Sequence, residues 1–295
     1  LKDLIKKSQK IDDQGAKLLS KHFVIFLFFF ISAIFIYKIL RKINISKNFS
    51  YLATLLYMLY PYLLGHGFYN PKDTPFASIW LICTYTSFLL AEKIYEKKDL
   101  KNYTILLFAA ITAFLISIRI AGILIFIQYF ITFILIAEIK GDKILFFIKK
   151  LSKEIILFSL FVILLIYISY PIFWKNPFEI VNAIIFMGNF PDATGCTMLL
   201  GRCVPAQNLE PSYIPLWLII KLPTIILIGL LLIPFSEKKI FIYEKNKIFF
   251  GTVLITVFVI PILLIFNKTV LYDEIRQILF LVPLIVIVSF SSIYF

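Results

Sequence analysis

The sequence predicts an all-α, polytopic transmembrane helix bundle, and three observations carry that expectation. Its 295 residues are 61% hydrophobic and only 16% charged, with a mean hydropathy of +0.93, a balance that a soluble domain with one buried core does not reach. The apolar residues gather in windows close to the ~20 residues that cross ~30 Å of hydrocarbon at 1.5 Å per residue. Lys and Arg collect in alternate connections between those windows.

Taken in order, the windows are 22–37, 49–64, 74–91, 103–118, 120–137, 155–173, 213–235 and 248–266, with a ninth, 277–295, closing the sequence. About eight to nine spans are therefore expected. The third window opens on Thr74 and Pro75, a capping residue followed by a proline suited to a first helical turn. Only Arg119 separates the fourth window from the fifth. The sixth leads into a 39-residue connection, 174–212. Residues 1–295 read as a single transmembrane domain. The chain opens on Leu1 and closes inside an apolar run, so the expectation is a fragment lacking material at the N-terminus, with the C-terminus open to the same reading.

Connections 38–48, 92–102, 138–153 and 236–247 hold 17 Lys and Arg, and the alternating set holds 6. Cytoplasmic connections carry such an excess, so the second set, including 174–212, is expected outside the cytoplasm. Residues 1–21 carry six Lys on that outer side, which a surface-lying amphipathic segment would tolerate. The net charge of +13 is then mostly topology, and nucleic acid is not an expected partner.

The outer set also holds the chemically informative residues. GHGFYNPKDTPF, residues 65–76, sets a His, an Asn, a Lys and an Asp beside two prolines. Asp73 reads either as a helix-start carboxylate paired with Lys72 or as a group that binds a divalent metal or takes a proton from an acceptor hydroxyl. His66 reads as a ligand or base, or as a turn residue between two glycines. Asn70 and Pro71 form a turn on either reading. Arg119 and Arg276 are helix-end anchors or anion clamps, Arg276 with Asp273 and Glu274 as internal partners in the first case. Lys221 falls ~12 Å into its window, deep enough to need an anion or to snorkel.

Within the long connection, residues 177–190 place Phe178, Val181, Ile184, Ile185 and Phe186 at helical spacing, as in a helix lying along the membrane interface. Cys196 and Cys203 form a C-x6-C pair suited to a disulfide, while Cys83 reads as a packing residue. No Walker loop, HExxH, GxSxG or dinucleotide fingerprint is present, so an activated donor would have to arrive on a lipid carrier.

LYMLYPYLLGHGFYNPKDTPFASIWLICTY resembles the second outer loop region of the GT-C superfamily of integral-membrane glycosyltransferases, in the branch related to family 39 protein O-mannosyltransferases. YPIFWKNPFEIVNAIIFMGNFP, YIPLWLIIKLP and LYDEIRQILFLVP look like later landmarks of bacterial members, so the resemblance covers most of residues 17–295. It implies transfer of a sugar from a polyprenyl-phosphate donor to a glycan, lipid or protein acceptor, on the extracytoplasmic face of a bacterial inner membrane. The family's second outer loop often supplies an Asp near the metal or donor phosphate, and Asp73 falls at that place. Together with the residue readings above, the expected site is Asp73 with His66 for catalysis, Asp73 for a divalent metal, and Arg119, Lys221, Arg276 and Lys72 for the donor phosphate. The family's catalytic base sits in the first outer loop, which would lie before residue 1, because Asp12 and Asp13 stand too close to the first window. Two rivals remain. A lipid-linked oligosaccharide polymerase or ligase would share the long loop and the arginines. A transporter would set its charges at the midplane between repeated halves, and no internal repeat is evident.

Overall fold

The computed structural model describes residues 2, 12–189 and 196–295. Among the described residues the chain is all-α apart from one short β-ribbon, and five helices are long and apolar enough to cross a membrane. Helix α1 (Asp13–Lys42) starts where the Asp12 carboxylate accepts from the Gly15 amide at 2.9 Å. Residues 13–21 thus continue the first helix and do not form the separate surface segment expected of them, since the Asp12 cap and the apolar face buried from Ala16 onward make one rod. The rest of the lysine-rich stretch, residues 1 and 3–11, lies outside the described residues.

The expected window 49–64 is two helices, α2 (Lys47–Met58) and α3 (Pro61–Tyr69). Pro61 is the cause: it forces Tyr60 into an extended conformation, and a proline suits the first position of the helix that follows. Helix α4 (Asp73–Tyr95) then runs unbroken. Helix α5 (Asn102–Ile118) ends at extended Arg119, and a 3-10 turn (Ile120–Leu124) leads into α6 (Ile125–Lys140). That hinge needs glycine, because a Cβ on Gly122 would meet the Ile116 Cα at 2.9 Å. Gly141, at φ 68°, supplies the left-handed residue that stops α6.

The lysine-rich connection folds as α7 (Ile144–Lys150) before α8 (Ser152–Ser169). A single turn, α9 (Ile172–Lys175), precedes α10 (Glu179–Asn189). Helix α10 falls where the interfacial helix 177–190 was expected; Phe190 lies outside the described residues. An antiparallel ribbon follows, β1 (Cys196–Leu199) paired with β2 (Arg202–Pro205). Cys196 and Cys203 are joined in a disulfide within it, Cα atoms 5.3 Å apart. The window 213–235 is likewise broken, into α11 (Tyr213–Lys221), α12 (Thr224–Leu231) and α13 (Ile233–Ile240). Leu222 is extended ahead of Pro223, the same pre-proline restriction that divides the second window. Helices α14 (Glu244–Phe266) and α15 (Leu281–Tyr294) complete the bundle.

Helices α4 and α15 lie at the centre: every residue of α15 from Leu281 to Ser292 is buried. Helix α8 is peripheral, with Ile156, Leu160 and Ile163 facing outward. Buried polar pairs fix the rotation of α4 against α6 and of α6 against α14. The Trp80 indole donates to Gln128 Oε1 at 2.9 Å, Gln128 Nε2 donates to Thr84 Oγ1 at 2.9 Å, and Thr132 meets Thr252 at 3.2 Å. Each such contact is worth roughly 0.6 kcal/mol in a membrane setting.

The bundle has two polar ends. At the lysine-rich end Glu92 pairs with Lys42 and, at 2.8 Å, with Lys245, while Glu96 pairs with Lys245 and Lys98, both at 2.6 Å. Asn246 Nδ2 closes this end by donating to the Ile43 and Ile240 carbonyls at 3.1 Å. The other end holds Asp73, Arg119 and Arg276.

Candidate functional site

The site begins with a local structure. Asn70 ends α3 in an extended conformation, and its Oδ1 accepts from the Asp73 amide at 2.9 Å and the Lys72 amide at 3.3 Å. Asn70 therefore closes the N-terminus of α4, the part that Thr74 was expected to play. Thr74 Oγ1 instead donates to the His66 carbonyl at 2.9 Å, tying α3 to α4. Asp73 is left at the first position of α4, where the helix dipole favours a carboxylate.

Two arginines far apart in sequence, and the neighbouring Asn70, converge on that carboxylate. Arg119 Nη1 pairs with Oδ1. Arg276 Nε reaches Oδ2 at 2.9 Å, and Asn70 Nδ2 donates to the same oxygen at 2.8 Å. The side chains are 6% exposed for Asp73, 17% for Arg119 and 42% for Arg276. Arg119 also lies over the Phe76 ring, 5.6 Å from its centroid, and Arg276 Nη1 meets Asp273 Oδ2 at 2.9 Å. Burial alone would lower the tendency of Arg276 to hold its proton, but the hydrogen bond and charge of Asp73 outweigh it and raise the pKa.

This arrangement alters the two sequence readings of Asp73. Its ion partners are Arg119 and Arg276, while Lys72, expected as its partner, is exposed and forms no ion pair among the described residues. With both oxygens engaged, Asp73 is built to position two guanidinium groups more than to accept a proton. The donor set around it, two guanidinium groups and a carboxamide, does not fit a divalent cation. Among the described residues no group of three or more His, Cys, Asp or Glu converges.

A cavity of about 770 Å³ opens beside this cluster. Lys72, Asp73, Arg119, Arg276 and Gln277 line it together with Glu179, Asn182 and Phe186 of α10 and with Tyr170, Phe173 and Tyr272. Tyr170 is held by donating to the Ser117 carbonyl at the end of α5. Glu179 Oε1 accepts from Asn176 Nδ2 at 3.1 Å and forms no ion pair among the described residues.

His66 and Lys221 stand outside the lining of this cavity. His66 is buried, its Nδ1 is 3.0 Å from Asn70 Nδ2, and its ring packs edge-on against Tyr62. It lies beyond the apolar run 49–64, and burial lowers its pKa, with Asp73 opposing that shift, so the neutral ring is favoured. Lys221 is paired with Glu274 at 2.6 Å and lies over the Tyr62 and Trp217 rings. Because Pro223 ends α11 there, Lys221 occupies a helix C-terminus, where a cation is favoured, and not the middle of a continuous span.

Of the residues marked in the sequence, Asp73, Arg119, Arg276 and Lys72 come together in the lining of this cavity. Glu179, Asn182 and Gln277 were missed. The i, i+3 spacing of Glu179 and Asn182 on an otherwise apolar helix was the available signal. Comparison of the chain with protein-family models, with curated proteins and with solved structures finds no match.

Proposed function

We propose that the chain is the membrane domain of a glycosyltransferase that takes a sugar from a polyprenyl-phosphate donor and passes it to a hydroxyl acceptor outside the cytoplasm. One observation carries the reading: Arg119 and Arg276, held in register by a buried Asp73, face a cavity that Lys72 also lines. Those three cations meet two carboxylates there, Asp73 and Glu179, which leaves the wall net positive. Arginine suits phosphate because its planar fork can donate two parallel bonds to an oxyanion.

In this mechanism the acceptor oxygen attacks the anomeric carbon and the carbon–oxygen bond to the lipid phosphate breaks. The phosphate leaves with the electron pair, and its added negative charge is met by Arg119 and Arg276, preorganised by Asp73. The hydroxyl proton passes to a carboxylate. Within the described cavity Glu179 is the carboxylate free of an ion pair. Asn182 and Tyr170 supply hydrogen-bonding groups for sugar or acceptor in the same lining. The amphipathic α10 exposes Val181, Ile184 and Ile185, an apolar face suited to the interface from which a lipid carrier would enter. Five apolar helices fix only the membrane setting; the span count, the GT-C fold and the sidedness belong to the proposal.

The test is binding of a short polyprenyl monophosphate to the detergent-purified chain. Arg119→Ala and Arg276→Ala should each weaken binding by about tenfold or more, since a charge-assisted hydrogen bond is worth roughly 1.5–3 kcal/mol. Unchanged affinity in both variants sinks the assignment. Lys72, a third cation on the wall, favours the rival reading of a lipid-diphosphate polymerase or ligase. Preference for diphosphate over monophosphate, lost in Lys72→Ala, would decide for that rival.

A further inference from the structure

Arg276 is presented to the cavity by a turn that its own backbone does not favour. Asp273 and Glu274 both lie in the left-handed region, at φ 55° and 62°. The Arg276 amide closes the turn on the Asp273 carbonyl at 3.1 Å. A Cβ crowds the backbone in that region, so residues other than glycine stay there only where their surroundings hold them. A short carboxylate such as Asp273 tolerates it, because its side chain can hydrogen-bond locally. Glutamate is not among the residues enriched there, so Glu274 needs a hold from elsewhere.

Its carboxylate supplies one. Glu274 Oε2 meets Lys221 Nζ at 2.6 Å, and both side chains are partly buried. Lys221 is fixed at its root, because the Tyr60 hydroxyl donates to the Lys221 carbonyl at 2.5 Å. Its ammonium also lies over the Tyr62 and Trp217 rings. Tyr60 stands directly before Pro61 and Lys221 ends the helix broken at Pro223, so the two proline breaks meet at this point. On the other flank of the turn Ile275 is fully buried, and Arg276 Nε reaches Asp73 Oδ2 at 2.9 Å. Relaxation of Glu274 would rotate the peptide planes beside it, opening the Asp273–Arg276 closure and turning the guanidinium away from Asp73.

We propose that Lys221 and Glu274 are positioning residues for Arg276: their ion pair, formed outside the cavity lining, holds the left-handed turn that aims the guanidinium at Asp73 and into the cavity. What this does for a bound lipid phosphate rests on the glycosyltransferase reading. The aim of Arg276 itself does not.

The experiment treats the detergent-purified whole chain briefly with phenylglyoxal, which adds to accessible guanidinium groups. Peptide mass spectrometry then reads the ratio of adduct at Arg276 to adduct at Arg119. Arg119 keeps its Asp73 partner in each variant, so the ratio corrects for general loosening of the bundle. Losing a partly exposed ion pair should raise the ratio about threefold in Lys221→Met and in Glu274→Gln. The double variant should go no further than either single one, because both remove the same contact. Lys221→Arg keeps the charge and should keep the wild-type ratio. An unchanged ratio in Lys221→Met and Glu274→Gln, or an equal rise in Lys221→Arg, would overturn the proposal. Either half of the pair can be removed, so one variant that fails to fold leaves the other to decide. Affinity for a short polyprenyl monophosphate should also fall about threefold in Lys221→Met. Unchanged affinity there beside a weakened Arg276→Ala would overturn the positioning role. Unchanged affinity in both variants would instead sink the donor reading, and the adduct ratio would still decide the aim of Arg276.

Discussion

Replacing Asp73 by Ala removes the shared anion from two guanidinium groups, and the structure ranks the consequences. Arg119 is 17% exposed and Asp73 only 6%, so Asp73→Ala leaves a largely buried cation without its partner, at roughly 3–5 kcal/mol. Arg276 is 42% exposed and keeps Asp273 at 2.9 Å, so its loss of Asp73 adds only about 1 kcal/mol after solvent screening. Asp73→Ala should thus cost about 4 kcal/mol. Arg119→Ala should cost about 2 kcal/mol, since Asp73 retains Arg276 and Asn70. Arg276→Ala should cost about 1 kcal/mol. Because Asp73 and Arg119 share one ion pair, the double variant Asp73→Ala with Arg119→Ala should fall short of additivity by about 2 kcal/mol. Reversible unfolding in mixed micelles of increasing denaturing-detergent fraction measures all four. If Arg276→Ala costs as much as Asp73→Ala, or the coupling energy lies below about 0.5 kcal/mol, the cluster is not organised around a buried carboxylate.

Three further outcomes follow from the same geometry. Burial lowers the His66 pKa, so its neutral form should support folding fully above the unfolded value of about 6.5 and lose that support as pH falls below it. His66→Gln should flatten that part of a stability profile taken through mildly acid pH, and an unaltered slope would place the titration elsewhere. At the other end, Lys245 and then Lys98 hold the Glu96 carboxyl down to about 2. Its contribution should be present above the unfolded carboxylate range and fade as pH drops toward 2, and Glu96→Gln should remove that acid-side dependence. Gly122→Ala drives a Cβ into the backbone of Ile116 and Leu115, with contacts at 2.9 and 3.0 Å. It should cost about 1–3 kcal/mol and weaken polyprenyl-phosphate binding by displacing Arg119. Wild-type stability and affinity in that variant would show that the hinge is loose.

Much of the bundle was legible because hydropathy and proline act locally. Apolar windows marked where helices lie, and the same sequence contained the reason two windows are broken, since Pro61 and Pro223 disfavour helical conformation in the residue before each, and Tyr60 and Leu222 are extended. The reading erred in weighing the apolar run above the proline. Site legibility was uneven for a different reason. Arg119 and Arg276 stood out as cations at helix ends, and Asp73 as a helix-start carboxylate, whereas Glu179 and Asn182 offered only their i, i+3 spacing and Gln277 only its place beside Arg276. Lys221 was misjudged because its depth was measured along a helix that in fact stops beside it.

By itself the sequence determined that this chain belongs in a membrane, that its helices alternate between a lysine-rich end and a chemically varied one, and which ionisable groups reach the varied end. Only the tertiary structure decided their partners. It gave Asp73 to Arg119 and Arg276 in place of the adjacent Lys72, committed Lys221 to Glu274, and brought Glu179 of α10 into the same cavity lining as the arginines. The physical reason is range. Hydropathy and backbone preference are settled within a few residues, but an ion pair between positions 73 and 276 exists only once the helices between them have packed.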